Sequence, residues 1–403
     1  MGYTSVKGGA EAIAAAERLI QQIPVDDDEK LLELRQVRHQ LRAAVDQVMG
    51  EGGLYAPELA ALAFKQAEGD MAEASFMLRA YRSTLPRLGY SRPVSGREMD
   101  VVRRISSTFR DVPDGQLLGR TRDYTQRLLD LEGELAGKKT LAHDETEPET
   151  TPEPWSGKAM KVSDAMRAMG LIGPLAEYAD EDAGHDDPDD ITRHSMRFPV
   201  TRSAWLQGLA RGETGALVCL AYSSLRGYGG GDHGTIAELR VGNLPLRVTH
   251  PLVGKPVTIG SYLATECEMT GRSGGGDAAT GNPGSSTTAK PKYGLSYGLV
   301  FGQNERKAIS MSLLDSALMV GANPEEGNPA PANDQEMVLY NTDGIESFGF
   351  VEHLKLPHFV TFGAGLDVSA NLKKDQEQSA TTTADAEPER ELVGAATASE
   401  GGR

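Results

Sequence analysis

The hydrophobic pattern changes its period along the chain, and this change limits the possible folds most. In the first third, apolar residues recur every three or four positions, which predicts helices with one buried face. After about residue 200 the apolar stretches are short and strand-like. We therefore expect an α+β fold, with a helical N-terminal domain followed by a mixed α/β domain with long flexible loops.

The helical part contains four candidate segments. Apolar positions predict one helix over 31–48, with its N-terminus at the acidic residues 26–28 and its end at Gly50. Pro57 suits the first turn of a second helix. A third helix is predicted over 70–85, with Tyr81 among its inward residues, and the second half of 116–131 is also expected to be helical.

The later part is expected to hold most of the strands. The uninterrupted apolar run 216–222 predicts a buried strand, and further strands are predicted over 237–241, 244–248, 256–269 and 297–301. A helix capped by Asn304 is predicted over 305–318. Strand and loop are predicted again over 337–341 and 348–362.

Composition divides the chain into regions. We predict a helical domain over 1–140, an acidic proline-rich linker over 141–158, a mixed domain over 159–370 and a disordered tail over 371–403. Residues 177–190 form a second acidic run. Segments 271–291 and 323–333 have little to bury and are expected to be flexible loops.

Charge and cysteine content exclude several classes of protein. The 403 residues include 41 Lys+Arg and 58 Asp+Glu, a net charge of −17, which excludes a broad basic surface for nucleic acid. The two cysteines cannot form a disulfide scaffold or a zinc site made of cysteines alone. No apolar run approaches the roughly 20 residues that a membrane-spanning helix needs. We expect a cytoplasmic protein without a secretory signal.

Two histidines lie five positions apart in the segment His353-Leu-Lys-Leu-Pro-His358. Residues at this spacing do not share a face of a regular helix or strand, but the proline forces a bend that can bring both imidazoles onto one metal ion. Neutral imidazole suits zinc. The alternative is two unrelated loop histidines, and spacing alone leaves both interpretations open because no standard zinc motif is present.

A pair of carboxylates flanks a cysteine in Thr265-Glu266-Cys267-Glu268-Met269. In a strand, Glu266 and Glu268 share one face and Cys267 takes the other. Paired carboxylates can bind a cation or stabilise positive charge on a reacting sugar. The alternative is a solvated strand face with a buried cysteine, which spacing alone favours.

Three basic residues are candidates for phosphate contact. Arg226 precedes a glycine-rich stretch in which backbone amides can approach a phosphate. Arg306 and Lys307 lie in the first turn of a predicted helix, where cations oppose the helix dipole unless an anion lies beside them. Neither segment is a P-loop, and a glycine-rich turn without a ligand is the more frequent explanation for the first.

Ten short sequence segments, spread along nearly the whole chain, are the basis of a family resemblance. They are VKGG at 6–9, ELAALAFKQAEGD at 58–70, LRAYRSTL at 78–85, RRIS at 103–106, GQLLGRTRDYTQRLLD at 115–130, DDIT at 189–192, LAYSSLRGYG at 220–229, TECEM at 265–269, YGLVFGQNERKA at 297–308 and GFVEHLKLPH at 349–358. Together they resemble one family, the I subunit of the bacterial carbon–phosphorus lyase core complex (PhnI). The departures from the family are segments 271–291 and 323–333 and the tail, which affect loop lengths.

The resemblance implies a catalytic role in phosphonate breakdown. The family is similar to the catalytic component of alpha-D-ribose 1-methylphosphonate 5-triphosphate synthase, which replaces adenine at C1′ of ATP with methylphosphonate and acts as a nucleosidase without its partners. The implied substrates are ATP, with magnesium, and methylphosphonate. The implied partners are the G, H and J subunits, with the K and L ATPase-like subunits as further candidates. In the family, the G, H and L subunits assist the synthase reaction.

The resemblance also implies roles for particular residues. His353 and His358 match the family's zinc ligands, at the boundary with the J subunit. Glu266 and Glu268 are then the candidate catalytic carboxylates, and Arg226, Arg306 and Lys307 are the candidate contacts of the triphosphate. The alternative function is a structural scaffold and zinc-binding subunit whose partners supply the active site.

Overall fold

The computed structural model describes residues 9–22, 31–129, 131, 159–173, 189–228, 234–272, 293–322, 330–356 and 358–384. Within these residues the chain forms twelve α-helices and a four-stranded antiparallel sheet, which confirms the predicted α+β class. Contacts between residues divide the chain into two compact units, Met1–Ser347 and Phe348–Arg403. None of the described helices is both long and apolar enough to cross a membrane.

Five helices come first. They are α1 (Ala10–Gln21), α2 (Leu34–Gln40), α3 (Arg42–Gly52), α4 (Pro57–Gln66) and α5 (Met71–Thr84). Helices α2 to α5 pack around a shared apolar core. The two predicted starts are confirmed: Pro57 is the first residue of α4, and the Asp70 carboxylate caps α5 by accepting the N–H of Ala72 at 2.9 Å. Tyr81, expected to face inward, is 46% exposed.

The single helix predicted over 31–48 is wrong, because the chain breaks at Leu41 into α2 and α3. Helix α2 packs on α4, whereas α3 packs on both α4 and α5, so the break lets α3 reach α5 while α2 stays against α4. Gly50 lies inside α3 rather than at its end. The helix ends instead before Gly53, whose left-handed backbone (φ +66°) suits a glycine. The predicted cap at 26–28 lies outside the described residues.

The sheet combines one strand from the first third of the chain with three longer strands. Its members are β1 (Asp100–Ile105), β2 (Thr235–Thr249), β3 (Pro256–Arg272) and β4 (Tyr293–Phe301), in that spatial order. The later predicted strands are confirmed, with 237–241 and 244–248 joined in β2. Pro245 is tolerated inside β2 because β1 pairs with β2 only as far as Asn243, which leaves Pro245 on a free edge.

Residues 216–222, predicted as a buried strand, instead form the last of the three helices that the described residues contain between β1 and β2. These are α6 (Val162–Ala168), α7 (Arg202–Arg211) and α8 (Thr214–Ser223). The Glu213 carboxylate accepts the N–H groups of the first turn and so caps α8. Leu217 and Ala221 are buried, whereas Cys219 is exposed. A short apolar run has the same pattern in a strand and in a packed helix, which explains the error.

Helix α9 (Glu305–Gly321) covers one face of the sheet, as expected for 305–318. Leu239 of β2, Cys267 of β3 and Leu314 of α9 belong to one buried core. Gly298 of β4 lies beneath α9, and a Cβ placed there would be 2.3 Å from the carbonyl oxygen of Ala308. The helix can approach the sheet this closely only because that position is glycine. Asn304 occupies the N-cap position, but its side chain forms no capping hydrogen bond.

The strands predicted over 337–341 and 348–362 are wrong. The chain forms α10 (Gln335–Thr342), α11 (Gly344–Glu352) and α12 (Phe359–Ala384) instead. The Asp334 carboxylate accepts the N–H of Met337 at 2.9 Å, and this N-cap favours the helix over a strand. Residues 371–384, expected to be disordered, continue α12. Ala332, in the segment 323–333 expected to be flexible, is buried in the main core.

The helix expected within 116–131 does not form in the described residues. Leu117 instead exchanges backbone hydrogen bonds with Arg104 of β1 at 2.7 and 2.9 Å, which extends the chain along the sheet edge. Leu128 and Leu129 are exposed, so no apolar face would support a helix.

The predicted linker, acidic run and loop lie almost entirely in the parts of the chain that are not described. Outside the described residues are 132–158, 174–188, 273–292, 323–329 and 385–403. The domain boundaries expected at 140 and 158 fall there and stay predictions.

Candidate functional site

The two histidines predicted as zinc ligands lie on one short turn of the second compact unit. His353 begins a 3₁₀ turn, His353–Lys355, that follows α11, and His358 directly precedes α12. Their ring centroids are 5.1 Å apart. The chain therefore bends between them and brings the imidazoles side by side, although Pro357 itself lies outside the described residues.

Each imidazole holds its Nδ1 atom against a backbone carbonyl oxygen. His353 contacts Phe350 in this way, and His358 contacts Leu356 at 2.6 Å. A neutral ring that donates from Nδ1 leaves Nε2 unprotonated, which is the usual arrangement of zinc-binding histidines. The described residues contain no group of three or more His, Cys, Asp and Glu side chains that could hold a metal, so this pair offers two ligands.

Glu266 and Glu268 share one face of β3 as predicted, but that face is buried rather than solvated. The two residues are 2% and 6% exposed. Lys161, the residue before α6, donates from Nζ to Glu266 at 2.9 Å and to Glu268 at 2.6 Å. Cys267 lies on the opposite face in the core, as expected.

Arg240 of β2 and Tyr297 of β4 complete the surroundings of Glu266. Arg240 Nε donates to Oε2 at 3.0 Å, and the Tyr297 hydroxyl donates to Oε1 at 3.0 Å. Burial raises the pKa of Glu266, but Lys161 and Arg240 outweigh burial and hold the pKa below its ordinary value. Burial, aided by the charge of Glu266, raises the pKa of Tyr297 well above its ordinary value. The phenol therefore stays protonated beside an ionised carboxylate.

A second ion pair extends this buried layer toward the sheet edge. Arg104 of β1 pairs with Glu238 of β2, and burial raises the pKa of Glu238. Arg104 also donates to the backbone carbonyls of Pro113, Gly115 and Met160 at 2.7 to 2.8 Å. The charged face thus ties the sheet to its covering loops. The catalytic role of the predicted carboxylate pair stays a prediction.

The three predicted phosphate contacts do not share one surface. Arg226 is exposed in a turn after α8, Ser224–Tyr228, and its guanidinium carbon lies 5.9 Å from the ring centroid of Tyr222. Arg306 is exposed in the first turn of α9. The neighbouring Lys307, by contrast, is fully buried.

Lys307 carries a buried amine whose Nζ has no hydrogen-bond partner among the described residues. Nζ packs against Gly50 of α3, since a Cβ at Gly50 would lie 3.4 Å from it. Burial lowers the pKa of Lys307 to about 8, although the charge of Glu51 opposes this shift.

The lowered pKa of Lys307 predicts that the stability of the protein increases at alkaline pH. Between pH 8 and 10.5 the unfolded lysine still binds a proton that the folded chain has released, so the free energy of unfolding should rise with pH by roughly 3 kcal/mol. Lys307→Met should lack this rise. Urea unfolding of both proteins at pH 7.5 and pH 10 measures the difference. An equal gap between the two proteins at both pH values would contradict the assignment.

A cavity of about 300 Å³ lies between α3, α5, α7 and the strands β3 and β4. Its sheet side is apolar and aromatic and includes Tyr262, Leu299 and Phe301. Its helix side carries two guanidinium groups, those of Arg82 and Arg211. The cavity therefore combines a wall suited to a ring system with a side suited to an anion.

The two guanidinium groups experience mutual repulsion. Burial, together with the charges of Arg79 and Arg82, lowers the pKa of Arg211 to about 10, although Asp343 and Asp190 oppose this shift. Burial also lowers the pKa of Arg82, with a contribution from Arg79. Asp343 neutralises Arg79 at 2.8 Å, whereas Nε of Arg211 is buried with no hydrogen-bond partner in the described part of the chain. An anion in the cavity would relieve this repulsion.

Sequence reasoning did not identify this cavity as a site. Arg79 and Arg82 lie three positions apart, which places them on one face of α5, and this spacing was the only available signal. Arg211 comes from the end of α7, well over a hundred residues later in the chain. Only the packing of α5 and α7 around the cavity brings the three together.

Comparison with known proteins gives consistent matches. The chain matches a family model described as "Bacterial phosphonate metabolism protein (PhnI)" over residues 2–376. It is 44% identical over 379 residues to a Rhizobium meliloti protein called alpha-D-ribose 1-methylphosphonate 5-triphosphate synthase subunit PhnI, covering 93% of this chain and 96% of that one. An Escherichia coli protein of the same name is 43% identical over 377 residues, covering 93% and 99%.

Proposed function

The chain belongs to the PhnI family of bacterial phosphonate metabolism proteins, and we propose on this basis that it is a subunit of alpha-D-ribose 1-methylphosphonate 5-triphosphate synthase. In this function it catalyses nucleosidyl transfer, in which methylphosphonate replaces adenine at C1′ of ATP. The observation that carries the proposal is the match to the family along nearly the whole chain.

The chemistry of this transfer defines what the protein must supply. Conversion of a β-nucleotide to an α-phosphonate is a net inversion, as direct in-line attack would give. The oxocarbenium-like transition state is stabilised by nearby negative charge, and a proton donor to the purine helps adenine leave. We propose that Glu266 and Glu268 supply this negative charge. This role requires the substrate to reach the two buried carboxylates, which Lys161 binds.

Zinc is the proposed cofactor, held by His353 and His358. The fit rests on the adjacent rings and on the Nδ1 contacts that leave each Nε2 available. When bound, zinc supplies Lewis-acid chemistry. Because the described residues of this chain offer two ligands, we infer that solvent, substrate or a partner subunit completes the coordination.

The proposed setting is a cytoplasmic assembly with the G, H and J subunits of the carbon–phosphorus lyase core complex, with the K and L subunits as further candidates. Support comes from the apolar surface of the second compact unit. Phe350, Leu354 and Phe362 are each about two-thirds exposed there. Clusters of large exposed apolar side chains mark interaction surfaces.

A second candidate function is that of a scaffold whose partners supply the active site. The burial and ion pairing of Glu266 and Glu268 favour it, because both carboxylates already have cationic partners. The test is release of adenine from ATP by the purified chain and by the reconstituted complex.

We expect the purified chain to release adenine slowly, with water as the attacking group, and the complex to form the phosphonate product. Release by the complex alone would favour the scaffold. A complex that forms no product from ATP and methylphosphonate would contradict the proposed transferase function.

A further inference from the structure

We propose that the arginine-lined cavity between α3, α5, α7 and the sheet binds a nucleoside triphosphate, with Arg82 and Arg211 contacting phosphate oxygens and Tyr262 and Phe301 contacting the base. The identity of this ligand rests on the proposed function. All residues that line the cavity belong to the first compact unit.

The basic side of the cavity has the features of an anion site. The side chains of Arg82 and Arg211 line it, with Arg79 close behind. The two carboxylates whose charges act on Arg211 already form ion pairs with other arginines: Asp343 binds Arg79, and Asp190 binds Arg87. Guanidinium groups suit bidentate contact with phosphate, and the buried Nε of Arg211, which has no hydrogen-bond partner among the described residues, adds a donor.

Lys307 strengthens the positive potential of this site from behind its wall. Its amine packs against Gly50, and Gly50 lines the cavity. Because Gly50 has no side chain, only its backbone separates the amine from the cavity at this point. Lys307 was predicted to contact the triphosphate, and in this arrangement it acts through its charge at short range.

The opposite side of the cavity suits a flat, weakly polar group. Tyr262 and Phe301 pack edge-to-face with ring centroids 5.8 Å apart, and Tyr55 holds both from behind at 6.0 and 5.7 Å. Such a supported aromatic wall can contact a purine without rearrangement. The volume of about 300 Å³ falls at the lower end of small-molecule sites, so part of the triphosphate would extend into solvent.

Calorimetric titration of the full chain tests the proposal, with two separate probes: an ATP analogue whose base is joined to C1′ by a carbon–carbon bond, so that the chain cannot release the base, and inorganic tripolyphosphate. Arg211→Gln and Arg82→Gln should each weaken binding of both probes on the order of 10- to 100-fold, because each loses charge-assisted hydrogen bonds. Arg211→Lys should recover part of the loss. Arg110→Gln is the matched control: it removes the same charge from an exposed residue that does not line the cavity, and it should leave both affinities unchanged.

The outcomes separate this proposal from the proposed function. Circular dichroism and thermal unfolding first identify the variants that fold as the wild type does. If these bind the analogue as tightly as wild type, or if wild type binds neither probe, the cavity proposal is overturned even where the complex releases adenine. If both arginines are needed for binding but the complex forms no product, the cavity proposal stands and the transferase proposal fails.

Discussion

Replacement of both His353 and His358 by alanine is expected to remove zinc from the complex and to abolish growth on methylphosphonate. The imidazoles lie side by side, and each holds Nδ1 against a carbonyl oxygen, so both Nε2 atoms are available to one ion. The loss should be complete because these are the two ligands that the described chain offers. Subunit assembly and the fold should be retained, since His358 is exposed and His353 only half-buried.

Metal content of the purified complex, together with growth of a strain that carries only the variant, measures this prediction. His39→Ala serves as the matched control, because His39 is an exposed histidine on α2. It should retain zinc and growth. A doubly substituted complex that still holds one zinc ion per chain at this turn, or that still supports growth, would show that other residues bind the metal.

Lys161→Met is expected to destabilise the protein by roughly 3–5 kcal/mol at pH 7, because it leaves two buried carboxylates without their shared cation. Lys161 binds both Glu266 and Glu268, and all three side chains are less than a tenth exposed. Arg240 still contacts Glu266 in the variant, whereas Glu268 loses the ion pair that it forms with Lys161. Urea unfolding monitored by circular dichroism gives the difference in free energy.

The pH dependence of this loss gives a second check. The pKa of Glu266 is held below its ordinary value of 4.5, so the stability it contributes is present above that value and is lost as the pH falls through the lowered pKa. The gap between wild type and Lys161→Met should therefore narrow on acidification.

Two further variants serve as controls for Lys161→Met. Adding Glu268→Gln should recover part of the loss, because it removes one stranded charge. Lys255→Met, at an exposed lysine, should change stability by less than about 0.5 kcal/mol. A loss of that small size in Lys161→Met would show that the buried layer does not depend on this lysine.

The sequence predicts the fold well where local signals and packing agree. Pro57 and Asp70 start helices because their backbone and capping properties favour that position in any context. The run 216–222 is different, because a buried helix and a buried strand share its pattern, and only the cap at Glu213 and the packing on α9 decide between them. The break at Leu41 likewise follows from packing partners rather than from any breaker residue.

The candidate sites show the same division. Short-range features were predictable: a bend between His353 and His358, and the shared face of Glu266 and Glu268. The contact of Lys161 with that face was not predictable, because Lys161 lies more than a hundred residues earlier in the chain. The pairing of Arg82 with Arg211 across two helices depends on tertiary contact in the same way.

The two cysteines differ in exposure, so thiol labelling can measure how often the core between α9 and the sheet opens. Cys219 is exposed on α8, whereas Cys267 is fully buried beneath α9, and burial raises the pKa of the Cys267 thiol to about 12. Alkylating reagents attack the thiolate, so native protein should take up one label quickly and the second only when helix and sheet separate. The rate of the second labelling reaction then reports the opening frequency of the core, without any added probe.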